Sequence, residues 1–384
     1  MADTLSPAGL YDRLQRGESL SILDVRNRDE FEEWHIDAPR TIQTPYAQFM
    51  SAKVRGEVPE LAEEIGIDAA SQDGPIVAVC PQGDASEAVT ELLREEGYDV
   101  RNLEDGMEGW ATVYVAREID GGSETTIQYE RPSSGCLSYL VVSGSEAAVI
   151  DPLRSFADRY VHDAAERDAD LRYAIDTHVH ADHVSGLRAV AERSDAEPVL
   201  PAGATERGLA FDARLVEDGD ELALGDATLT AIHAPGHTSE MTLFRLGDVL
   251  FSADTLFLDG IGRPDLEAGS DGARALADSL YGTLHDRVLS LPEETLVAPG
   301  HADSGTRRGN DGTITATLDA VRDAVPFLSL DRESFVARVA DDLPPRPANY
   351  EEIVAVNLGR ETVDTETAFE LELGPNNCAV SSEP

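Results

Sequence analysis

The sequence predicts an α/β protein in two parts: a small domain on a largely parallel sheet, then a larger unit whose sheet-on-sheet core is covered by helices. Three observations carry this. The chain has 384 residues, two to three times an ordinary domain of about 100 to 200 residues. Up to about residue 112, short apolar runs alternate with helical patterns, the rhythm of βαβ units. From residue 125 two longer β-rich halves follow with helices between them, and two such halves bury their apolar faces by packing sheet on sheet.

Residues 1–115 are expected to form the first domain. SLSILDV, PIVAVC and YDVRNL are short apolar runs and read as strands; RDEFEEW and ASEAVTELLREEG space their apolar residues by three and four and read as helices. REIDGGSET, with two glycines and dense charge, reads as a linker over 116–124. In 125–325, TTIQYE, CLSYLVV, AAVIDP and RYAIDT read as strands of one half. ELALGDATLTAIHAPGH, MTLFRL and DVLFSADTLF read as the other. Residues 326–384 are expected to be a C-terminal extension: a helix (DRESFVARVADD), a proline-rich turn (LPPRP), a short helix and an acidic mobile tail.

Composition places the chain among globular proteins, with 41% hydrophobic residues and 31 Gly and 20 Pro scattered along it. Thirty basic residues against 74 acidic ones give a net charge of −44. Lys53 is the single lysine. Nucleic acid and anionic membrane are therefore not expected as partners, because phosphate binding needs a basic stripe. Carboxylates run through every segment, as expected of a halophilic protein whose self-repulsion is screened by salt. Cys80, Cys136 and Cys378 are too few and too far apart for a disulfide framework. The start, MADTLSPAGLYDRL, lacks a signal-peptide pattern and no run approaches 18 apolar residues, so a cytoplasmic location is expected. The sequence leaves homo-oligomerisation open.

The strongest chemical signal is HVHADH, which puts His178, His180, Asp182 and His183 directly after the strand RYAIDT. Alternate residues at a strand end point two imidazoles the same way, and the next two donors, past a turn, face a neighbouring position. His237 in APGHTS, Asp254 in FSADTLF and His301 in APGHADSG each stand where an apolar run ends. Loops along one sheet edge would gather all seven. His35, His162 and His285 lack such company and read as ordinary structural histidines. Cys136 reads as a small core residue on a strand, and Cys378, in a polar tail, is given no role.

A second signal is VCPQGDASEAV. Cys80 follows a buried-type strand, and a six-residue loop is expected to lead into a helix beginning near Ser86. Backbone N–H groups of such a loop and the helix N-terminus would favour the thiolate, as a cysteine carrying sulfane sulfur requires.

Residues 125–325 resemble the metallo-β-lactamase fold superfamily, an αββα sandwich, whose HxHxDH motif and later His, Asp and His are all matched. GIGRPDL and SLSLDRESFVARVADDLPPRPANYEEIVAVNLG resemble its persulfide dioxygenase branch. Glyoxalase II enzymes share the metal motif but carry a longer helical C-terminal substrate domain, which is not expected here. The resemblance implies one ferrous ion on His178, His237 and Asp254, a two-His, one-carboxylate face with positions left for a thiol persulfide and dioxygen. It also implies Arg263 near the substrate entrance, where it would pair with a substrate carboxylate. A zinc hydrolase with one or two ions would instead recruit His180, Asp182, His183 and His301, with Asp254 bridging and a metal-bound hydroxide as nucleophile. The residues permit both chemistries; the branch favours iron.

Residues 5–113 resemble a rhodanese domain through LDVRNRDEFEEWHIDAP, the cysteine loop and NLEDGMEGW, with Cys80 in the place of the catalytic cysteine. Two departures stand out. Asp84 occupies a loop where an Arg or Lys is common and would repel anionic thiosulfate, and Trp34 replaces a usual glycine before His35. Together the two resemblances imply oxidation of a low-molecular-weight thiol persulfide to sulfite and thiol, coupled to sulfur transfer in sulfide detoxification. The alternatives are a dinuclear zinc thioester hydrolase of the glyoxalase II type and a sulfur-carrier or docking protein with a structural metal.

Overall fold

The computed structural model describes residues 4–67, 74–120, 124–267, 269–341, 343, 346–374 and 378–381. Parts of the expected linker (121–123), proline turn (344–345) and tail (382–384) lie outside the described residues. The chain divides into two compact units, the first being 1–114 with 131–134 and 373–375, the second the remainder.

In the first unit the chain runs β1 (Thr4–Leu5), α1 (Pro7–Gln15), β2 (Ser21–Asp24), α2 (Arg28–Glu33), β3 (Thr41–Gln43), α3 (Tyr46–Arg55), α4 (Val58–Glu64), β4 (Ile76–Val79), α5 (Asp84–Glu95), β5 (Val100–Leu103) and α6 (Gly106–Ala111). The strands form one sheet in the order β1-β5-β4-β2-β3, with every neighbouring pair parallel. β4 and β2 are buried along their whole length, as strands covered on both faces must be. α5 turns Val89, Leu92 and Leu93 inward. α1 starts where Ser6 caps it, accepting from the Gly9 N–H at 3.2 Å, with Pro7 in the first turn.

The second unit runs β6 (Val115–Glu118), β7 (Thr125–Arg131), β8 (Cys136–Ser143), β9 (Glu146–Ile150), α7 (Ala157–Ala165), β10 (Asp170–Ile175), α8 (Leu187–Arg193), β11 (Glu197–Pro201) and β12 (Arg214–Val216). These strands build a sheet in the order β12-β11-β10-β9-β8-β7-β6. Next come β13 (Glu221–Leu224), β14 (Ala227–His233), β15 (Thr242–Leu246), β16 (Val249–Ala253), β17 (Gly260–Gly262), α9 (Gly269–Gly282), β18 (Leu296–Pro299), β19 (Ala316–Thr317) and α10 (Leu318–Ala324). A second sheet orders them β13-β14-β15-β16-β18-β19. One core joins the two sheets, with Tyr139, Val141 and Ile175 from the first against Leu229, Leu243 and Phe251 from the second. The expected sandwich is present, with helices including α9 packed onto its core.

Two boundaries differ from the expectation. The linker begins as a strand: β6 pairs antiparallel with β7 and forms the sheet's edge. The C-terminal extension is built into the second unit by α11 (Arg332–Asp341), α12 (Tyr350–Asn357), α13 (Thr365–Leu371) and β20 (Ala379–Ser381). Phe335 and Val339 of α11 enter the main core. Ile353, Val356, Ala368 and Leu371 of α12 and α13 pack around Val184. β20 pairs antiparallel with β17, so this stretch of the expected mobile tail is a strand. Apolar residues spaced for burial, embedded in acidic sequence, explain the difference. No helix among the described residues is long and apolar enough to cross a membrane.

Candidate metal centre and cysteine loop

β9 and β10 are parallel neighbours, so the residues after both arrive at one sheet edge. Asp151 follows β9 with φ 51°, a left-handed conformation that places its carboxylate against the next loop. It accepts from the Thr177 N–H at 2.7 Å and from the Thr177 hydroxyl at 2.9 Å. The HVHADH segment thus starts from a fixed point. Glu240 accepts from the Val179 N–H, between His178 and His180, at 2.9 Å. β16 and β18 are likewise parallel and deliver Asp254 and His301 together. Ala253, at φ 44°, turns the chain so that Asp254 faces the cluster. Gly300 lets His301 come close, since a Cβ there would stand 2.4 Å from Asp254 Oδ1.

The seven residues fall into distinct groups. His178, His237 and Asp254 are buried and bring one donor atom each within 4.8 Å of the others. His178 Nε2, His237 Nε2 and Asp254 Oδ2 have no hydrogen-bond partner. The opposite nitrogens are fixed: His178 Nδ1 lies 3.0 Å from the Thr177 hydroxyl, and His237 Nδ1 lies 2.8 Å from the Arg263 carbonyl. Burial pushes His178 well below the usual imidazole range and lowers His237 as well. Burial opposes ionisation of Asp254, but His301 holds its carboxyl below the ordinary range. Two neutral imidazoles and a carboxylate with converging, unpartnered donors are a donor set for a divalent cation.

The second group, Cys136, Asp182, His183 and His301, is partly satisfied within itself, while His183 Nε2 and Asp182 Oδ1 have no hydrogen-bond partner. Asp182 Oδ2 lies 2.9 Å from His301 Nε2, 3.1 Å from His183 Nδ1 and 3.4 Å from Cys136 Sγ. His301 Nδ1 is 2.7 Å from Asp254 Oδ1, which ties this group to the first. Burial works against the charge on His301 and His183, yet Asp254 with Asp182 at the first, and Asp182 at the second, raise both well above the ordinary value. His180 groups with Asp151 and Asp176, its Nε2 3.1 Å from Asp151 Oδ1, and its ring lies 4.1 Å from those of both His178 and His183.

Cys136 is buried on a strand as expected and gains a partner there, while two other placements change. Cys136 opens β8 and belongs to the Asp182 group, because a bridge between Cys136 and His301 brings the strand start to that loop. Cys378 is buried beside Ala181 and Leu266, and its carbonyl accepts from the Arg263 N–H at 3.2 Å. Arg263 is 1% exposed. Its guanidinium grips Asp265, with Nε–Oδ1 at 2.7 Å, so it does not stand open at an entrance. Asn357 and Glu372 were missed. Asn357 Nδ2 donates to the carbonyls of His180 and His183, and Glu372 Oε1 accepts from the Val184 N–H at 2.9 Å. Only the Asn in NLG, a polar residue ending an apolar helix, hinted at this in the sequence.

In the first unit Cys80 is 2% exposed. The Gly83 N–H donates to its sulfur at 3.1 Å, and the Ser86 hydroxyl lies 3.2 Å away. α5 begins at Asp84, two residues before the expected start, because Gly83 takes φ 97° and turns the chain early. Ser86 therefore lies in the first helical turn, and Asp84 is exposed at the helix start.

Residues 132–301 match the metallo-beta-lactamase superfamily and residues 6–112 the rhodanese-like domain. Human mitochondrial persulfide dioxygenase ETHE1 is 31% identical over 258 residues, 65% of this chain and 94% of that protein. The crystal structure of ETHE1 from Myxococcus xanthus matches with a TM-score of 0.54 at 28% identity, covering 64% of this chain and 100% of that one. A hydroxyacylglutathione hydrolase from Parasynechococcus marenigrum is 33% identical over 171 residues, 42% of this chain and 64% of that protein. The motif order, the sandwich and the extent of these matches agree: the chain belongs to the ETHE1 persulfide dioxygenase family of the metallo-beta-lactamase superfamily and carries a rhodanese-like domain before it.

Proposed function

We propose that the second unit oxidises a low-molecular-weight thiol persulfide with dioxygen and water to sulfite and the free thiol, using one ferrous ion held by His178, His237 and Asp254. The observation that carries this reading is the set of three unpartnered, converging donors of a two-His, one-carboxylate kind in a chain 31% identical to human persulfide dioxygenase ETHE1. The overall change is RSSH + O2 + H2O → RSH + SO3(2−) + 2 H+, in which the outer sulfur loses four electrons to dioxygen. Bound iron would supply a place for the terminal sulfur and dioxygen side by side and a redox partner for both. The Thr177 hydroxyl and the Arg263 carbonyl orient the two imidazoles, and His301 fixes Asp254 through its other oxygen. Burial of all these groups keeps bulk water from the reacting atoms.

Cys80 would carry sulfane sulfur in the first unit, where the Gly83 N–H donates to the sulfur and the Ser86 hydroxyl lies beside it. Sulfide detoxification is the role that joins both activities in one chain.

A second reading, a zinc thioester hydrolase, is favoured by the hydroxyacylglutathione hydrolase relative and by the presence of Asp182, His183 and His301. Metal content of anaerobically purified protein, combined with oxygen uptake on adding glutathione persulfide, separates the two. About one iron per chain with persulfide-dependent uptake supports the dioxygenase. Two zinc ions, no uptake and oxygen-independent thioester cleavage overturn it.

A further inference from the structure

Arg154, Ser185, Arg188, Arg193, Thr362 and Thr365 line a cavity of about 330 Å³ in the second unit. Its charge runs against the chain, which has 74 carboxylates for 30 basic residues. Arg193 is neutralised by Asp158 at 2.7 Å. Neither Arg154 nor Arg188 makes an ion pair with a carboxylate among the described residues. Each donates one N–H to a backbone carbonyl, Arg154 to Val363 at 3.0 Å and Arg188 to Val356 at 2.7 Å. Arg188 also lies over the Phe211 ring at 5.1 Å. The other guanidinium donors remain available. Burial and the charge of Arg154 both lower the pKa of Arg188, so the pair repel each other in a half-enclosed space. The exposed carboxylate of Glu192, which also lines the cavity, and that of Asp176 act favourably on Arg188, and Asp364 interacts with Arg154, but none of them makes an ion pair with either. The two like charges are offset only by these carboxylates that make no ion pair with them, which leaves the guanidinium groups open to a directly bound counter-anion.

We propose that this cavity binds a small oxyanion with two negative charges, of the sulfite or phosphate class, between Arg154 and Arg188. Planar guanidinium forks match the oxygens of such an anion in bidentate fashion. The hydroxyls of Ser155, Thr362 and Thr365 line the same space. Ser185 and Val184 connect the cavity to the HVHADH segment, since Val184 accepts from the Arg154 N–H at 3.0 Å. The site is distinct from the metal donors and does not depend on which metal they hold.

The test is isothermal titration calorimetry of the full chain at constant ionic strength, with sulfite in one arm and inorganic phosphate in the other. Saturable binding of about one anion per chain is expected. Arg154→Gln and Arg188→Gln should each weaken it at least about tenfold, the loss of one charge-assisted contact. Arg274→Gln, at an exposed pair with Asp341, should leave it unchanged. Because Arg188 also holds the end of α12, Arg188→Lys is included; it keeps a cation and should bind measurably but more weakly. Sulfite alone, phosphate alone or both each support the site and identify its anion. Absence of saturable binding in both arms, or equal affinity in the Arg154→Gln, Arg188→Gln double variant, overturns it.

Discussion

The side-chain amide of Asn357 donates to the main-chain carbonyl of His183 at 2.8 Å, and also to that of His180 at 3.0 Å. Its Oδ1 accepts from the Ser185 N–H at 2.8 Å. One residue at the end of α12 thus satisfies two buried carbonyls of the metal-binding segment and the half-buried Ser185 N–H just after it. Asn357→Ala leaves all three unpaired, at a cost of about 1–3 kcal/mol for each group that water cannot reach. Urea unfolding and iron content should both fall. Asn357→Asp, which accepts but cannot donate, should resemble Ala more than the native residue. Wild-type stability and iron content in both variants would remove Asn357 from this role.

Removing a member of the first group should differ in kind from removing one of the second. His178→Ala, His237→Ala and Asp254→Ala each delete a converging donor and should abolish both iron retention and oxygen uptake. His183→Gln removes a partner of Asp182, which reaches the proposed ligand Asp254 only through His301. It should retain iron at saturating supply with affinity lowered about 10- to 100-fold, the usual effect of an outer-shell change. Metal analysis across a ferrous titration reads both. If wild-type protein holds two ions and His183→Gln loses one, the dinuclear reading gains.

Much of the site was legible because metal donors sit at strand ends. Parallel pairing of β9 with β10 and of β16 with β18 brings sequence-distant loops to one edge, so HVHADH, Asp254 and His301 converge as their positions suggested. Cys136, Asn357 and Glu372 were not legible. Their functions depend on which loop each meets across the fold, and an isolated cysteine on a strand or an amide ending a helix carries no trace of that partner. The β6 strand was hidden for a related reason: edge strands tolerate charge, so its Arg117 and Glu118 resembled a linker.

His285 gives a pH dependence outside the metal centre. Its ring stacks on Tyr281 at 4.0 Å, and burial, with the charge of Arg332, lowers its pKa. A histidine depressed in the folded state resists protonation that the unfolded chain accepts. Its contribution is fully present above the ordinary imidazole range, near about pH 6.5, and is lost as pH falls toward the depressed value. His285→Phe keeps the stacking and removes the titration. The difference in unfolding free energy between the two proteins should therefore shift in favour of the variant between about pH 7 and 5. A pH-independent difference would contradict this.

Cys80→Ser should eliminate sulfur transfer from thiosulfate while leaving persulfide-dependent oxygen uptake intact, because the two reactions use different residues. Loss of uptake in that variant would refute the division of labour. Asp84 offers a finer test. Its exposed carboxylate stands at the start of α5, one residue from the Gly83 N–H that contacts the sulfur. An approaching dianion meets both the favourable N–H and this negative charge. Screened by water, one such charge at contact range is worth about 1 kcal/mol. Asp84→Ala should raise kcat/KM for thiosulfate about fivefold in dilute buffer. The gain should shrink as salt rises, since a Debye length of about 3 Å at 1 M leaves little of the repulsion to relieve. A gain that persists undiminished at 1 M salt would place the effect in loop geometry and not in charge.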